Sequence, residues 1–151
     1  MSNSLFIVLA SKIGTVNVKQ SMVNFYVQRN KTMSCCGVVD WQVMQVNQAN
    51  GFDMKTGIFT APLPGYYMFN FASTGNAVQK NRVKLQKNNG TIGNAWSQSA
   101  YDTMTMSANL YLAKGDQVSI YLSEGGLYDN SNRLSHFTGS LIDQAPITIT
   151  V

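Results

Sequence analysis

The chain has few charged side chains and few of the residues that catalyse reactions or bind metals. Charged residues make up 12% of its 151 residues, against a usual share of roughly 25%, and His136 is the only histidine. No nucleophile elbow, phosphate-binding loop or zinc-ligand spacing is present. A histidine without these partners is better explained as a surface or interface residue than as a catalytic base. The sequence therefore predicts a protein without enzymatic activity, bound metal or cofactor.

Long apolar runs are also missing. No run approaches the roughly 18 residues of a membrane span. The segment LFIVLA, from Leu5 to Ala10, is shorter than the roughly 7–15 residues of a signal-peptide core and follows no Lys or Arg, so we interpret it as a strand. No Gly-X-Y run encodes a collagen stalk. Two glycosylation sequons begin at Asn30 and Asn89 and become relevant only if the chain is secreted.

The two cysteines, Cys35 and Cys36, are adjacent. They lack the spacing and the histidine partners of a zinc motif. A bond between neighbouring cysteines closes a strained ring. Buried free thiols are therefore the simplest prediction, and a disulfide to another chain is the alternative.

Apolar and polar residues alternate along most of the chain, as is typical of half-buried strands. In SMVNFYVQ the alternation places Val23, Phe25 and Val27 on one face, and QVSIYLS and PITITV repeat the pattern. Turn sequences rich in Gly or Asn separate these segments: NGFD, LPG, KNNG, AKGD and EGG. Because no stretch carries a sustained helical pattern, the sequence predicts an all-β sandwich or barrel.

The stretch NGFDMKTGIFTAPLPGYYMFNF has a rigid pattern of aromatic residues without catalytic groups. Its two prolines precede a strand, where a missing N–H costs little. The spacing of two between Tyr67, Phe69 and Phe71 places the three rings on one face of that strand, where they can fill a sandwich core. The pattern is therefore structural.

Eight residues at fixed intervals carry a resemblance to the C1q domain family of complement and its relatives. They are Trp41, Asn47, Phe52, Phe59, Gly65, Tyr67, Phe69 and Phe71. The one departure is Trp41, where the family has Phe, and the larger indole needs a partner for its N–H when it is buried. The segments GIFTAPLPGYY, VKLQKNNG, LYLAKGDQVSIYL and SHFTGSLI are also similar to the family, so the resemblance covers most of the chain.

The resemblance implies a ten-stranded jelly-roll sandwich of two antiparallel sheets, as in the tumour necrosis factor superfamily. The C1q-like domain is expected over residues 22–142, with an N-terminal strand-like extension at 1–21 and a C-terminal extension strand at 143–151. The resemblance also implies a secreted homotrimer. The interface candidates are Tyr66, Met68 and Asn70, which lie on the strand face opposite the core aromatics. Some relatives hold calcium near the threefold axis, but no motif here supports a calcium site.

Two loops are candidates for ligand contact. The first, YDNSNR, supplies Tyr128, Asp129, Asn130, Asn132 and Arg133, which combine a ring, amides, a carboxylate and a guanidinium. The second, WSQSAYD, supplies Trp96 and Tyr101. The composition of each loop favours an ordinary polar connection between two strands, and ligand contact is the alternative.

The net charge of +4 means that acidic partners are not repelled. The densest basic group is Lys80, Arg82, Lys84 and Lys87, which we interpret as a solvated strand face. Because basic residues are otherwise scattered, nucleic acid is not expected as a partner. The sequence favours a non-enzymatic lectin or pattern-recognition protein that binds anionic glycans or microbial surfaces. The alternatives are a signalling ligand for a cell-surface receptor and a structural matrix protein.

Overall fold

The structure, a computed structural model, describes residues 21–77 and 79–146. These residues form thirteen strands and no helix. The strands are β1 (Asn24–Gln28), β2 (Met33–Ser34), β3 (Gly37–Val38), β4 (Val43–Gln48), β5 (Phe52–Asp53), β6 (Ile58–Thr60), β7 (Gly65–Thr74), β8 (Asn81–Lys87), β9 (Gly90–Ser97), β10 (Thr103–Leu112), β11 (Gln117–Glu124), β12 (Gly126–Leu127) and β13 (His136–Gln144). Nine of them have three or more residues and four have only two, against the ten strands expected.

The strands form two antiparallel sheets, which confirms the predicted all-β jelly roll. One sheet has the order β10-β7-β13-β1-β4. The other has the order β5-β6-β11-β8-β9, with β3 also paired to β11. A short ribbon of β2 and β12 lies beside them. Of the predicted extensions, Asp143 and Gln144 continue β13, whereas residues 1–20 and 147–151 lie outside the described part of the chain.

The alternation of apolar and polar residues in the sequence corresponds to an alternation of buried and exposed residues in the structure. Along β7 every second residue from Gly65 to Ser73 is buried, and this set includes Tyr67, Phe69 and Phe71. Strand geometry sends these side chains to the same face, where they meet the other sheet. The core is therefore built from inward-facing aromatic residues of both sheets.

Phe25 lies at the centre of this core. The centroid of its ring is 4.7 Å from that of Phe52 and 5.0 Å from that of Phe59, which belong to the opposite sheet. The ring of Phe137 on the neighbouring strand β13 is also 5.0 Å away, in an edge-to-face arrangement. These separations lie in the range in which aromatic pairs attract one another. Phe25 thus connects the two sheets.

The polar groups of the eight family-like residues form hydrogen bonds within the fold, with one exception. The side-chain amide of Asn47 both donates to the carbonyl and accepts from the N–H of Phe52 and so closes the turn before β5. The hydroxyl of Tyr67 donates to the carbonyl of Leu63 at 2.7 Å, and burial raises the pKa of this phenol. Trp41 is buried and stacks on Phe137, but its indole N–H has no hydrogen-bond partner among the described residues.

The structure corrects one sequence interpretation and shows one buried charge that the sequence did not predict. Cys35 and Cys36 are exposed rather than buried, and their sulfur atoms lie against each other. Arg29, which the sequence did not single out, is enclosed with only 1% of its surface exposed and forms an ion pair with Asp40. Partial burial raises the pKa of Asp40, but the hydrogen bond and charge of Arg29 outweigh this effect and hold that pKa below its ordinary value.

Gly139 makes room for the central ring of the core. It lies opposite Phe25 in the pairing of β13 with β1. A Cβ at this position would overlap the ring of Phe25 and lie 2.8 Å from that of Phe69. Both rings are buried, so neither can move aside without disturbing the packing.

We predict that Gly139→Ala lowers the free energy of unfolding by about 1–3 kcal/mol, the usual cost of overpacking a core. Urea denaturation measures this loss. Gly93→Ala is the matched control, because a Cβ there meets the flexible end of Met106 at 3.3 Å and has room to displace it. Equal stability of the parent and the Gly139→Ala protein would show that the core is not packed as described.

Candidate functional site

Three connecting segments come together at one end of the sandwich. They are residues 75–77, 98–102 and 128–135, and we call this surface the loop end. Gly75 donates to the carbonyl of Asp102 at 2.9 Å and accepts from the N–H of Tyr101 at 2.8 Å. The N–H of Tyr128 donates to the carbonyl of Thr74 at 2.8 Å. Backbone hydrogen bonds thus hold the three segments in a fixed arrangement.

Asn81 ties these segments to the sheet. Its side chain is fully buried, and its amide oxygen accepts hydrogen bonds from the N–H groups of Ala77 and Gly126 at 2.9 and 3.0 Å. Its amide nitrogen donates to the carbonyl of Ala77 and to the hydroxyl of Ser97. A buried amide must be satisfied in this way, because an unpaired polar group in the interior is costly. Sequence reasoning missed Asn81, since an asparagine beside a turn sequence gives no signal of burial.

Tyr101 of the second candidate ligand loop and Tyr128 of the first form one surface, whereas Trp96 of the second loop lies on strand β9 and not with them. The rings of Tyr101 and Tyr128 meet edge to face, with centroids 4.8 Å apart. Tyr101 is 67% exposed, and Tyr128 is half-buried beside it. Their backbones are held by adjacent residues, Gly75 and Thr74. The sequence predicted both loops separately and could not show that the fold joins them.

Asp129 is not available to a ligand, which corrects its assignment as a contact residue. It is buried, and its carboxylate accepts hydrogen bonds from the backbone N–H groups of Arg133 at 3.3 Å and Leu134 at 2.8 Å. Its own N–H and carbonyl bond to the hydroxyl of Thr32. Asp129 therefore shapes the loop. A carboxylate commonly stabilises a turn in this manner.

The residues that Asp129 holds in place face solvent. Asn130, Asn132 and Arg133 are exposed, and the left-handed backbone of Ser131 and Arg133 turns the chain sharply there. The guanidinium of Arg133 forms no ion pair with any carboxylate in the described segments. The loop end thus offers two tyrosine rings, the amides of Asn130 and Asn132 and the unneutralised Arg133, together with the exposed carboxylate of Asp102, which accepts a hydrogen bond from Ser99.

The basic face on β8 is only partly free. Arg82 pairs with Glu124 at 3.2 Å and Lys87 with Asp116 at 3.6 Å, so two of the four predicted cations have carboxylate partners. Hydrogen bonds from the side chain of Asn88 and the N–H of Ala113 lower the pKa of Asp116, which agrees with a role in the turn.

The remaining two basic residues are associated with aromatic rings. The ammonium group of Lys80 lies 5.4 Å from the ring centroid of the exposed Trp96, in a cation–π arrangement. Lys84 lies opposite Tyr121 in the pairing of β8 with β11. This second exposed surface lies on the outside of the sheet that contains β8.

The outer face of the five-stranded sheet exposes apolar side chains. Tyr66 is 55% exposed, and its ring packs against that of Tyr111 with centroids 5.3 Å apart. Met68 is exposed on the same strand, and Asn70 accepts a hydrogen bond from Ser107. The sequence named Tyr66, Met68 and Asn70 but missed Tyr111, because the strand pairing that brings it beside Tyr66 is a long-range feature.

His136 also lies on this sheet. Its Nδ1 atom is 2.6 Å from the hydroxyl of Tyr26 and 3.3 Å from the amide nitrogen of Gln28. The ring stacks on that of Tyr26. Among the described residues, no carboxylate forms a hydrogen bond with the imidazole ring of His136 that would orient the ring for acid–base chemistry.

Residues 21–77 and 79–146 contain no group of three or more His, Cys, Asp or Glu side chains able to hold a metal ion. The described residues also include no helix of the length and hydrophobicity needed to cross a membrane.

Comparison with known proteins identifies the domain. The family model described as "C1q domain" matches residues 24–142. Human complement C1q tumor necrosis factor-related protein 3 is 35% identical over 103 residues, which are 66% of this chain and 42% of that protein. Zebrafish Caprin-2 is 29% identical over 110 residues, which are 70% of this chain and 12% of that protein. The chain spans less than half of the length of these curated relatives.

Solved structures agree on the fold. The globular domain of zebrafish complement 1qA superposes with a TM-score of 0.68 at 23% identity, covering 82% of this chain and 99% of that one. The Eiger TNF of S. frugiperda gives a TM-score of 0.70 at 12% identity, covering 87% and 99% of the two chains. The family match, the sequence identity and the jelly-roll topology agree. The chain therefore belongs to the C1q domain family, a family of ligand and recognition domains.

Proposed function

We propose that this chain is an extracellular recognition module that assembles as a homotrimer and binds anionic glycans, such as those of microbial surfaces, through its loop end. The observation that carries the ligand proposal is the contact of the exposed Tyr101 with the half-buried Tyr128, beside the unneutralised Arg133.

The chemistry of the loop end fits a sugar acid. A tyrosine ring offers an apolar face to the C–H side of a sugar and a hydroxyl to its polar edge. The amides of Asn130 and Asn132 can both donate and accept hydrogen bonds. Arg133 can meet a carboxylate with two parallel hydrogen bonds. The net charge of +4 favours the approach of such a ligand.

The backbone contacts favour a preformed site. Asn81 and Asp129 fix the segments that carry the rings and Arg133, so little conformational entropy is lost when a ligand binds.

The apolar face of the five-stranded sheet supports self-association. Tyr66, Met68 and Tyr111 are exposed on this face. Tyrosine and methionine are enriched at protein interfaces, so their exposure here favours contact with another copy of the chain. A trimer carries three loop ends, and multivalency turns weak single-site binding into tight attachment to a repetitive surface.

The Tyr66→Asp protein is expected to be monomeric. The substitution places a charge on the apolar face, where burial against another copy would remove it from water. Light scattering coupled to gel filtration measures the mass. Tyr101→Asp is the matched control, since it makes the same change at the loop end and should leave the trimer intact. A monomer mass for the parent protein at micromolar concentration would contradict the proposed assembly.

Arg133→Ala is expected to weaken binding to an acidic oligosaccharide by about 1–3 kcal/mol, the range for a lost charged hydrogen bond. The difference from the parent should shrink at high ionic strength, because exposed charges are screened. Tyr101→Ala and Tyr128→Ala should weaken binding at all salt concentrations. A glycan array followed by titration calorimetry provides the measurement.

Lys55→Ala is the control for the glycan experiment, because Lys55 is an exposed cation in the turn between β5 and β6. If all three loop-end variants bind acidic glycans as the parent does, the loop end is not the site. Binding to cells that persists after enzymatic removal of their surface glycans would instead favour a signalling ligand for a protein receptor.

A further inference from the structure

A second exposed surface lies on the outside of the sheet that contains β8. Strand pairing places Arg82 opposite Trp96, and Lys84 opposite both Asn94 and Tyr121. Residues directly opposite each other in antiparallel strands project from the same face. Val83 and Leu85 point into the core, so Arg82 and Lys84 point outwards. We call the cluster of Lys80, Arg82, Lys84, Trp96 and Tyr121 the outer-sheet patch.

The outer-sheet patch carries an excess of positive charge. It has three cations, and Glu124, which pairs with Arg82, is the one carboxylate within ion-pair distance of them in the described residues. Three positive charges and one negative charge leave a balance of two positive charges. The ammonium group of Lys80 rests over the ring of Trp96 and keeps its charge at the surface.

Trp96 is unusual at this position, because 53% of its surface is exposed beside charged side chains. An exposed tryptophan beside arginine and tyrosine is the composition of energetic hot spots in protein–protein interfaces. The strand β9 that carries Trp96 is at the edge of its sheet, so a partner can approach from the side as well as from above.

The shape of the patch favours a protein over a small ligand or a sugar. Four of the five side chains stand on three adjacent strands, on the outer face of a sheet, whereas small-molecule sites are usually concave. Lys80 also occupies one face of the indole, which reduces the platform for a sugar ring.

We propose that the outer-sheet patch docks an acidic segment of a protein partner, with Trp96 as the apolar anchor and Lys80 and Lys84 as the groups that meet its carboxylates. This interaction is distinct from glycan binding at the loop end and does not depend on it. Charge complementarity identifies the partner as acidic. An apolar or aromatic residue next to the carboxylates of the partner would cover the exposed part of Trp96.

The test selects short random peptides displayed on phage against the complete protein. Selected peptides should be enriched in Asp and Glu next to apolar residues. Fluorescence anisotropy of the synthesised peptides should show that Trp96→Ala and Lys84→Glu each weaken binding by about tenfold or more, as expected for hot-spot residues. Higher ionic strength should weaken binding to the parent, because the carboxylate contacts are exposed.

Two controls separate this surface from the rest of the protein. Lys114→Glu makes the same charge change at an exposed turn residue outside the patch and should leave peptide binding unchanged. Arg133→Ala should also have no effect on the peptides, although it is expected to reduce glycan binding. Circular dichroism establishes that each variant is folded.

Three results would overturn the proposal. The first is that the selected peptides have no acidic bias. The second is that Trp96→Ala and Lys84→Glu leave the affinity for the peptides unchanged. The third is that Lys114→Glu loses as much affinity as Lys84→Glu does. Heparin is the comparison polyanion. One further outcome is that Trp96→Ala and Lys84→Glu weaken the binding of heparin, whereas they weaken the binding of no peptide. The patch then binds a sulfated polysaccharide, and the proposed protein partner is wrong.

Discussion

The ring of Phe25 packs over Gly139, and the rest of the sandwich depends on this contact. The missing side chain at Gly139 leaves room for the ring, which meets Phe52 and Phe59 of the opposite sheet. Interiors are packed to the density of organic crystals, so such a contact fixes the spacing of the sheets within narrow limits. The aromatic residues of the core therefore build a rigid scaffold, and the aromatic residues proposed to bind ligands, Trp96, Tyr101 and Tyr128, lie outside that core.

A rigid core leaves the outward faces free to carry function. The five-stranded sheet exposes Tyr66 and Tyr111, the outer-sheet patch presents Trp96 among cations, and the loop end presents Tyr101 and Tyr128. These three surfaces differ in chemistry, since one is apolar, one is basic and one is a mixed polar and aromatic loop cluster. The three proposed interactions therefore use different side chains.

The sequence was sufficient to predict the fold, because alternation and aromatic spacing are local features that depend on strand geometry. The site was predictable only in part. Tyr101 and Tyr128 were identified as separate candidates, but their contact depends on pairing between distant segments. Asp129 was assigned to a ligand because composition does not show that backbone N–H groups already occupy a carboxylate. Burial of Asn81 and Arg29 was missed for the same reason, since polar residues are ordinarily exposed and only tertiary contacts reveal the exceptions.

The central claim is that recognition occurs at the loop end while the aromatic core remains unchanged. It is tested most directly by two-dimensional amide NMR spectra of the ¹⁵N-labelled protein during titration with an acidic oligosaccharide. The account predicts chemical-shift changes in residues 75–77, 98–102 and 128–135, with the resonances of the core residues Phe25, Phe69 and Gly139 unmoved. Shift changes confined to the five-stranded sheet or the outer-sheet patch, or no changes at saturating ligand, would contradict it.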